Sequence, residues 1–271
     1  MKIWALTRFT ISEKMRSRMM IAGMVLSLLY LAVVPMLSTT SGGTTIVGGS
    51  DAGAAARDFL SFALGGLNFI AMFMAIFTTL GSIYTEVDKG TILAVVTKPV
   101  KRWEIIIGKW IGHVALMGGY VLLMGVMLWL TVILDSGTLV PEFFPVIGLI
   151  TLNVVAIVTV TLTLSTFLPV IPNVIFAALI YLTAANVKVI TEIGDTSGNI
   201  VFWLIANFAR LTMPIGEVGD LVDSILVRGT RGEVEQAFTP SNWIFLYEIA
   251  YIFLTVMVAT WIFRRRDLRQ A

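Results

Sequence analysis

The feature that most constrains this chain is a series of long apolar segments, each close to the length that a helix needs to cross a membrane. The hydrocarbon core of a bilayer is about 30 Å thick, which about 20 helical residues can span. Backbone groups in lipid must be paired within their own segment, so we predict helices. The predicted spans are Met19–Leu37, Phe59–Tyr84, Trp110–Leu134, Phe143–Ile171, Val174–Ile190 and Trp243–Phe263, with a start near Ile105 as the alternative for the third.

The low proportion of charged side chains agrees with a protein that crosses the bilayer several times. Only 13% of the residues are charged and 57% are apolar, with a mean hydropathy of +0.90, whereas about a quarter of a soluble domain is charged. The net charge of +2 is too small to indicate a nucleic-acid partner. The absence of cysteine excludes disulfides and thiol catalysis, and a single histidine argues against a multi-histidine metal site.

The positions of the basic residues predict how the chain is oriented. Most of its 19 Lys and Arg residues lie before the first span, between the second and third spans, or after the sixth. With six spans these regions share one side, which the excess of positive charge marks as cytoplasmic. We therefore expect a multi-pass protein of the cell (inner) membrane, with both termini in the cytoplasm and the Gly/Ser/Thr-rich residues 38–57 outside.

Two further segments are predicted to lie along the membrane rather than across it. Residues 1–18 form a basic helix at the inner surface, with Trp4, Ile11 and Met15 on one face, although a solvated basic tail is the alternative. Residues 191–242 contain an apolar stretch that is too short to span comfortably. We expect an outer re-entrant or interfacial helical pair there, with a seventh span as the alternative.

The connection between the fourth and fifth spans is short. It runs over Leu168–Asn173 and contains Pro169 and Pro172, which suit a sharp break because proline cannot continue a helix from the preceding turn. These two spans are therefore predicted to form an antiparallel hairpin. The whole chain, residues 1–271, is predicted to be a single all-α polytopic membrane domain with six transmembrane helices.

The charged segment between spans two and three, residues 85–104, is longer than a turn between neighbouring helices needs. Thr85 with Asp88 resembles a helix capping box, and Pro99 ends the stretch because the residue before a proline disfavours helix. Apolar residues recur between them at helical spacing. These features predict a short cytoplasmic helix whose apolar face either packs on its own subunit or docks on a soluble protein.

The spacing E-x-x-x-G-T-(x)7-P-x-x-R-(x)5-G-K in this segment resembles the loop between spans two and three in the ABC-2 family of ABC-transporter membrane subunits. The resemblance implies an exporter-type permease that forms a homodimer around the transport pathway. It also implies that the loop is a coupling helix, docked on one of two separate ATP-binding subunits that bind ATP and Mg²⁺. The residues that carry this expected ATPase-coupling role are Glu86, Gly90, Thr91, Ile92, Pro99, Arg102, Gly108 and Lys109.

The chain lacks the motif that binds ATP. Its single Gly-Lys pair, Gly108–Lys109, is followed by Trp110, where a P-loop requires Ser or Thr. No nucleophile–base pair or metal-ligand set is visible either. We therefore expect that this chain is not an enzyme and binds no cofactor, and that ATP hydrolysis belongs to the partner subunit. A membrane-anchored subunit that transmits mechanical signals without moving a solute is the alternative function.

Three polar residues inside the predicted spans are candidates for the pathway, because polar and ionisable groups in lipid are costly. Glu248 in span six, Asn153 in span four and His113 in span three could line a polar path or bond to neighbouring helices. The spacing of Gly108 and Gly112 permits close helix contact. That contact lies either within one subunit or between two.

Overall fold

The computed structural model describes residues 2–39, 52–88, 101–136, 143–212 and 242–265, and the regular structure in these ranges is helical. The predicted all-α class is confirmed for this part of the chain. In chain order the helices are α1 (Lys2–Met15), α2 (Arg18–Thr39), α3 (Ala52–Thr79), α4 (Tyr84–Asp88), α5 (Arg102–Ser136), α6 (Phe143–Leu164), α7 (Val170–Ala185), α8 (Val187–Ser197), α9 (Ile200–Thr212) and α10 (Asn242–Arg265).

Four helical segments are long and apolar enough to cross a membrane, namely α3 continued into α4, α5, α6 and α10. Two further pairs meet the same length and composition requirement together but are bent, α1 with α2 by 63° and α7 with α8 by 69°. The described residues thus contain four to six candidate spans. The predicted number of six corresponds to counting each bent pair as one span.

The third predicted span belongs to the longest described helix, α5, which has 35 residues. This helix starts at Arg102, eight residues before the predicted start at Trp110 and three before the alternative start at Ile105, so the last residues of the predicted loop 85–104 are already helical. The backbone N–H of Lys101 donates to Glu104 Oε2 at 2.8 Å, which is one half of a capping box. This cap explains why the helix begins so early.

The hairpin of α6 and α7 agrees with the prediction, but its turn lies earlier in the chain. The helices end at Leu164 and restart at Val170, whereas the predicted turn extended to Asn173. Pro172 consequently lies in the first turn of α7, where its missing N–H would have had no helical partner. Asn173 Nδ2 donates to the carbonyl of Thr161 at 3.3 Å and ties the two helices together.

The fifth predicted span, Val174–Ile190, is not one straight helix. The chain bends by 69° between α7 and α8, at Asn186. The Asn186 side chain donates from Nδ2 to the carbonyl of Leu182 at 2.8 Å. The same carbonyl also accepts the backbone N–H of Asn186 at 3.2 Å, and the Asn186 backbone departs from helical values, with φ −110° and ψ 22°. Apolarity alone therefore predicted a continuous helix through a residue that favours a break.

The hairpin of α8 and α9 turns at Gly198, which has φ +61°. A small apolar cluster packs between the two helices. The hairpin occupies the first part of the predicted pair at 191–242, and residues 213–241 lie outside the described part of the chain. Its position at the outer membrane surface stays a prediction.

Helices α3, α5 and α6 form the centre of the bundle and provide most of its buried apolar side chains. Among the four unbent candidate spans, α6 is the most enclosed and α10 the most exposed. Ala71 and Ala75 of α3 are fully buried in this core, so their small side chains allow helices of the same chain to pack closely. The helix ends that flank the charged segment, those of α4 and α5, lie at one end of this bundle.

Candidate functional site

The candidate site begins at the break between α3 and α4, just before the charged segment. Gly81 lies in this break with φ +62°, a left-handed conformation that glycine adopts without strain. A Cβ atom at this position would lie 2.9 Å from Thr85 Cγ2 and 3.1 Å from Val170 Cγ2. Both the backbone conformation and the close packing therefore require glycine.

Side chains from other helices bond to the backbone groups next to this break. The N–H groups of Ile83 and Tyr84 donate to Ser165 Oγ at 3.1 Å and 3.4 Å. The carbonyl of Ser82 accepts a hydrogen bond from Lys109 Nζ at 2.6 Å. Buried backbone polar groups need such partners, so the break depends on a serine after α6 and a lysine in α5.

Lys109 joins α5 to α4 as well as to the break. Its Nζ donates to Glu86 Oε1 at 2.5 Å, in addition to the Ser82 carbonyl. Only 5% of Lys109 is exposed, whereas 24% of the Glu86 side chain is exposed. A buried ammonium requires partners of this kind. The ammonium group of Lys109 therefore bonds within the chain and does not face solvent.

His113 lies one helical turn beyond Lys109 on α5. Its Nε2 is hydrogen-bonded to Ser82 Oγ at 3.0 Å, and the side chain is fully buried. Its Nδ1 has no hydrogen-bond partner among the residues that the structure describes. His113 thus packs against the break and holds the Ser82 side chain in place.

Helix α1 packs directly on the start of α5. Thr7 Oγ1 donates to the carbonyl of Gly108 at 3.1 Å. A Cβ on Gly108 would lie 2.7 Å from Leu6 Cβ, and one on Gly112 would lie 2.8 Å from Thr10 Cβ. The two glycines therefore serve a contact within one chain, which decides between the alternatives that the sequence left open.

The end of α10 meets the start of α5. Arg102 Nη1 donates to the carbonyl of Arg264 at 3.1 Å. A separate apolar cluster joins the α3–α4 break, α5, α6 and α10 next to this contact. Its buried members are Ile83, Val87, Ile106, Leu162, Ala259 and Phe263.

Half of the predicted coupling residues come together in this arrangement of helix ends, which we call the loop junction. Glu86, Arg102, Gly108 and Lys109 each contact another helix of the same chain there. The contacts of these residues with a partner subunit stay a prediction. The other predicted coupling residues lie outside the described part of the chain: Gly90, Thr91, Ile92 and Pro99.

Two of the predicted pathway residues lie elsewhere. Glu248 is near the start of α10, whereas the loop junction involves the end of that helix. It is fully buried, and neither carboxylate oxygen has a hydrogen-bond partner within the described residues. Asn153 of α6 is also buried, and its Oδ1 is likewise without a partner there. No hydrogen bond between described residues joins Glu248, Asn153 and His113 into one path.

Sequence reasoning did not predict the contacts that Ser82, Ser165 and Thr7 make at this site. Ser165 bonds to Ile83, from which it is separated by 82 positions in the chain, and no motif or periodicity marks a serine for such a contact. Gly81 could have been recognised from the sequence as a break. The Gly81–Ser82 pair interrupts the second apolar segment a few residues before Glu86.

Comparison with known families gives one result that covers almost the whole chain. A family model described as ABC-2 family transporter protein matches residues 4–268. The matched range includes all ten described helices except the first residues of α1. No curated protein matches the chain.

Proposed function

Because the chain belongs to the ABC-2 family of transporter membrane proteins, we propose that it is the transmembrane permease subunit of an exporter-type ABC transporter. Subunits of this family lack a catalytic ATPase domain, and the chain is a multi-pass membrane component rather than an enzyme. Two copies form the pathway as a homodimer. Two separate ATP-binding subunits bind ATP and Mg²⁺ and hydrolyse the nucleotide.

The observation that carries this proposal is the family match, which includes the charged segment between α4 and α5. In the proposed complex each ATP-binding subunit docks on this segment, which we call the coupling loop, residues 85–104. The loop and both termini face the cytoplasm, in agreement with the distribution of Lys and Arg. ATP shifts the permease between conformations only if its binding favours one of them. The coupling loop must therefore move differently when its ATPase subunit has bound ATP, and it must pass that movement to the spans.

Co-purification tests this function. The full chain, expressed with its own P-loop ATPase subunit, is expected to retain that subunit through affinity purification and gel filtration. Gly90→Pro is expected to remove it, because proline restricts the backbone of the coupling loop. Gly48→Pro is the matched control, since it makes the same change in the predicted outer loop at residues 38–57, and is expected to retain the ATPase.

Two results would contradict the proposal. If the wild-type chain retains no ATPase under conditions in which both proteins are folded, it is not a permease subunit of this kind. If Gly90→Pro retains as much ATPase as Gly48→Pro, the coupling loop is not the docking element. Transport itself is tested by reconstituting the complex in vesicles and adding ATP on the loop side.

A further inference from the structure

We propose that the Glu86–Lys109 ion pair is an internal clasp, which joins α4 to the start of α5, on either side of residues 89–100, so that the two helices move as one body. The clasp consists of these two side chains and the Ser82 carbonyl. Glu86 and Lys109 are positioning residues in this account, because they act through the loop rather than by touching nucleotide or solute. The inference rests on the proposed function and concerns how the motion of the ATPase enters the membrane domain.

The first step is the placement of the pair along the chain. Glu86 lies in α4 and Lys109 in the second turn of α5, so the pair joins the two helices on either side of residues 89–100, which lie outside the described part of the chain. A contact between them at 2.5 Å therefore closes the base of the loop. Any displacement of the loop reaches both α4 and α5 through this closed base.

The second step is the number of bonds that hold the lysine. Lys109 Nζ donates to the Ser82 carbonyl at 2.6 Å as well as to Glu86. The carbonyl belongs to the backbone at the α3–α4 break, so the lysine is fixed to main chain and not only to a flexible side chain. Because Lys109 is almost fully buried, its ammonium gains no comparable partner from water.

The third step is that stability alone does not explain a buried ion pair. Replacing such a pair by apolar side chains of similar volume is often neutral or stabilising, because removing the charges from water is costly. Compared with an apolar contact, a charged pair fixes the relative position of its two partners more specifically. At the base of the coupling loop, that geometry is the fixed position of α4 relative to α5.

The fourth step is what the clasp is connected to. Helix α5 continues unbroken for 35 residues, which corresponds to about 50 Å at the rise of an α-helix. The residue before Lys109, Gly108, accepts a hydrogen bond from Thr7 of α1. Motion at the clasp is therefore passed along α5 through the membrane and sideways into α1.

A distance measurement across the base of the loop tests the clasp directly. The chain has no cysteine, so Asp88→Cys and Lys101→Cys introduce the only two spin-label sites of each copy, one on either side of residues 89–100. Both positions are exposed. Double electron–electron resonance on the full chain, diluted with unlabelled chain so that distances within one copy are measured, is expected to give one narrow distance distribution, with and without the ATPase subunit and after ATP is added.

Variants of the pair are compared in this labelled background. Lys109→Met and Glu86→Ala are each expected to broaden the distance distribution in the isolated chain, where no ATPase subunit is present. The double variant Glu86→Ala/Lys109→Met removes both charges of the pair, so neither is left buried without the other, and it is expected to broaden the distribution no further than either single change. Lys109→Arg keeps the positive charge and can still donate to both Glu86 and the Ser82 carbonyl, so it is expected to restore the narrow distribution. Glu192→Gln changes an exposed glutamate of α8 and is the matched control.

The clasp proposal is contradicted if the distribution of distances between the two labels remains narrow in the double variant. It is also contradicted if Lys109→Met loses the ATPase subunit without any change in that distance. The second result would mean that the lysine contacts the partner subunit. A wild-type chain that retains no ATPase contradicts the proposed function instead, and it leaves the distance comparison in the isolated chain intact. The two proposals therefore fail through different measurements.

Discussion

Single residues set how closely α1 approaches α5. A Cβ on Gly112 would lie 2.8 Å from Thr10 Cβ and 3.2 Å from the carbonyl oxygen of Thr7. The carbonyl is backbone and cannot rotate away as a side chain can. Gly119, two turns further along the same helix, has no atom within 4 Å of the equivalent point. Two glycines of one helix therefore differ sharply in the space available to a methyl group.

We expect Gly112→Ala to destabilise the protein by about 1–3 kcal/mol, the usual cost of overpacking. Gly119→Ala is the matched control and is expected to leave stability unchanged or raise it by up to about 1 kcal/mol, because alanine forms helix more readily than glycine. Thermal unfolding in one detergent, followed by the fluorescence of the 7 tryptophans, measures both. Equal melting temperatures would contradict the close contact of α1 with α5.

The charged residues of the motif illustrate a second point about single positions. The spacing of Glu86 and Lys109 singled them out and predicted that they contact a partner subunit. In the structure they contact each other across α4 and α5 at 2.5 Å. A charge in the sequence does not distinguish a residue that faces solvent from one that is paired within the chain, because that difference depends on which helices meet.

At the scale of elements, two glycines with left-handed backbone mark where helices end. Gly81 has φ +62° between α3 and α4, and Gly198 has φ +61° between α8 and α9. A Cβ on Gly198 would meet no atom within 4 Å, whereas one on Gly81 would approach both Thr85 and Val170. The backbone conformation is thus the same at the two sites, and the surroundings differ.

This pair of glycines separates conformational strain from overpacking. Gly198→Ala is expected to lower the free energy of unfolding by about 1–2 kcal/mol, because a left-handed backbone is strained for alanine. Gly81→Ala is expected to lower the free energy of unfolding by about 1–3 kcal/mol more than Gly198→Ala does, because the added methyl group also enters a space that other side chains occupy. Denaturant titration of the two variants in the same detergent gives the comparison. A cost for Gly81→Ala no larger than that for Gly198→Ala would show that the break is not packed as described.

The ends of the helices show why sequence predicted the elements better than their limits. Apolar length correctly located α2, α3, α5, α6 and α10, since each is dominated by one long apolar run. It did not detect the bend at Asn186 or the start of α5 at Arg102, because the apolar run continues through the bend and charged residues interrupt it at the start of α5. Bends and helix starts of this kind change the path of the chain without changing its hydropathy.

At the scale of the whole molecule, the predicted orientation can be tested because the chain contains no cysteine. Ser12→Cys in α1 and Asp195→Cys in α8 each introduce one exposed thiol. A membrane-impermeant maleimide is expected to label Ser12→Cys only from the cytoplasmic side and Asp195→Cys only from the opposite side. A permeant maleimide, which is expected to label both variants, is the control. Labelling of both thiols from one side alone would refute the six-span orientation.

The sequence by itself determined the class of this molecule. Segments of about 20 apolar residues must be helices in lipid, because no water is present to bond their backbone groups. That rule applies to each segment separately, so it needs no knowledge of the fold. The motif spacing from Glu86 to Lys109 likewise indicated the ABC-2 family, which the match over residues 4–268 confirms.

Only the tertiary structure decided which groups meet. It placed the buried Lys109 against Glu86 and the Ser82 carbonyl, and it placed Gly108 against α1 of the same chain rather than left it free for a second copy. Hydropathy and periodicity describe one segment at a time. Contacts such as that between Ser165 and Ile83 join residues 82 positions apart, so they follow from the packing of whole helices and not from any pattern along the chain.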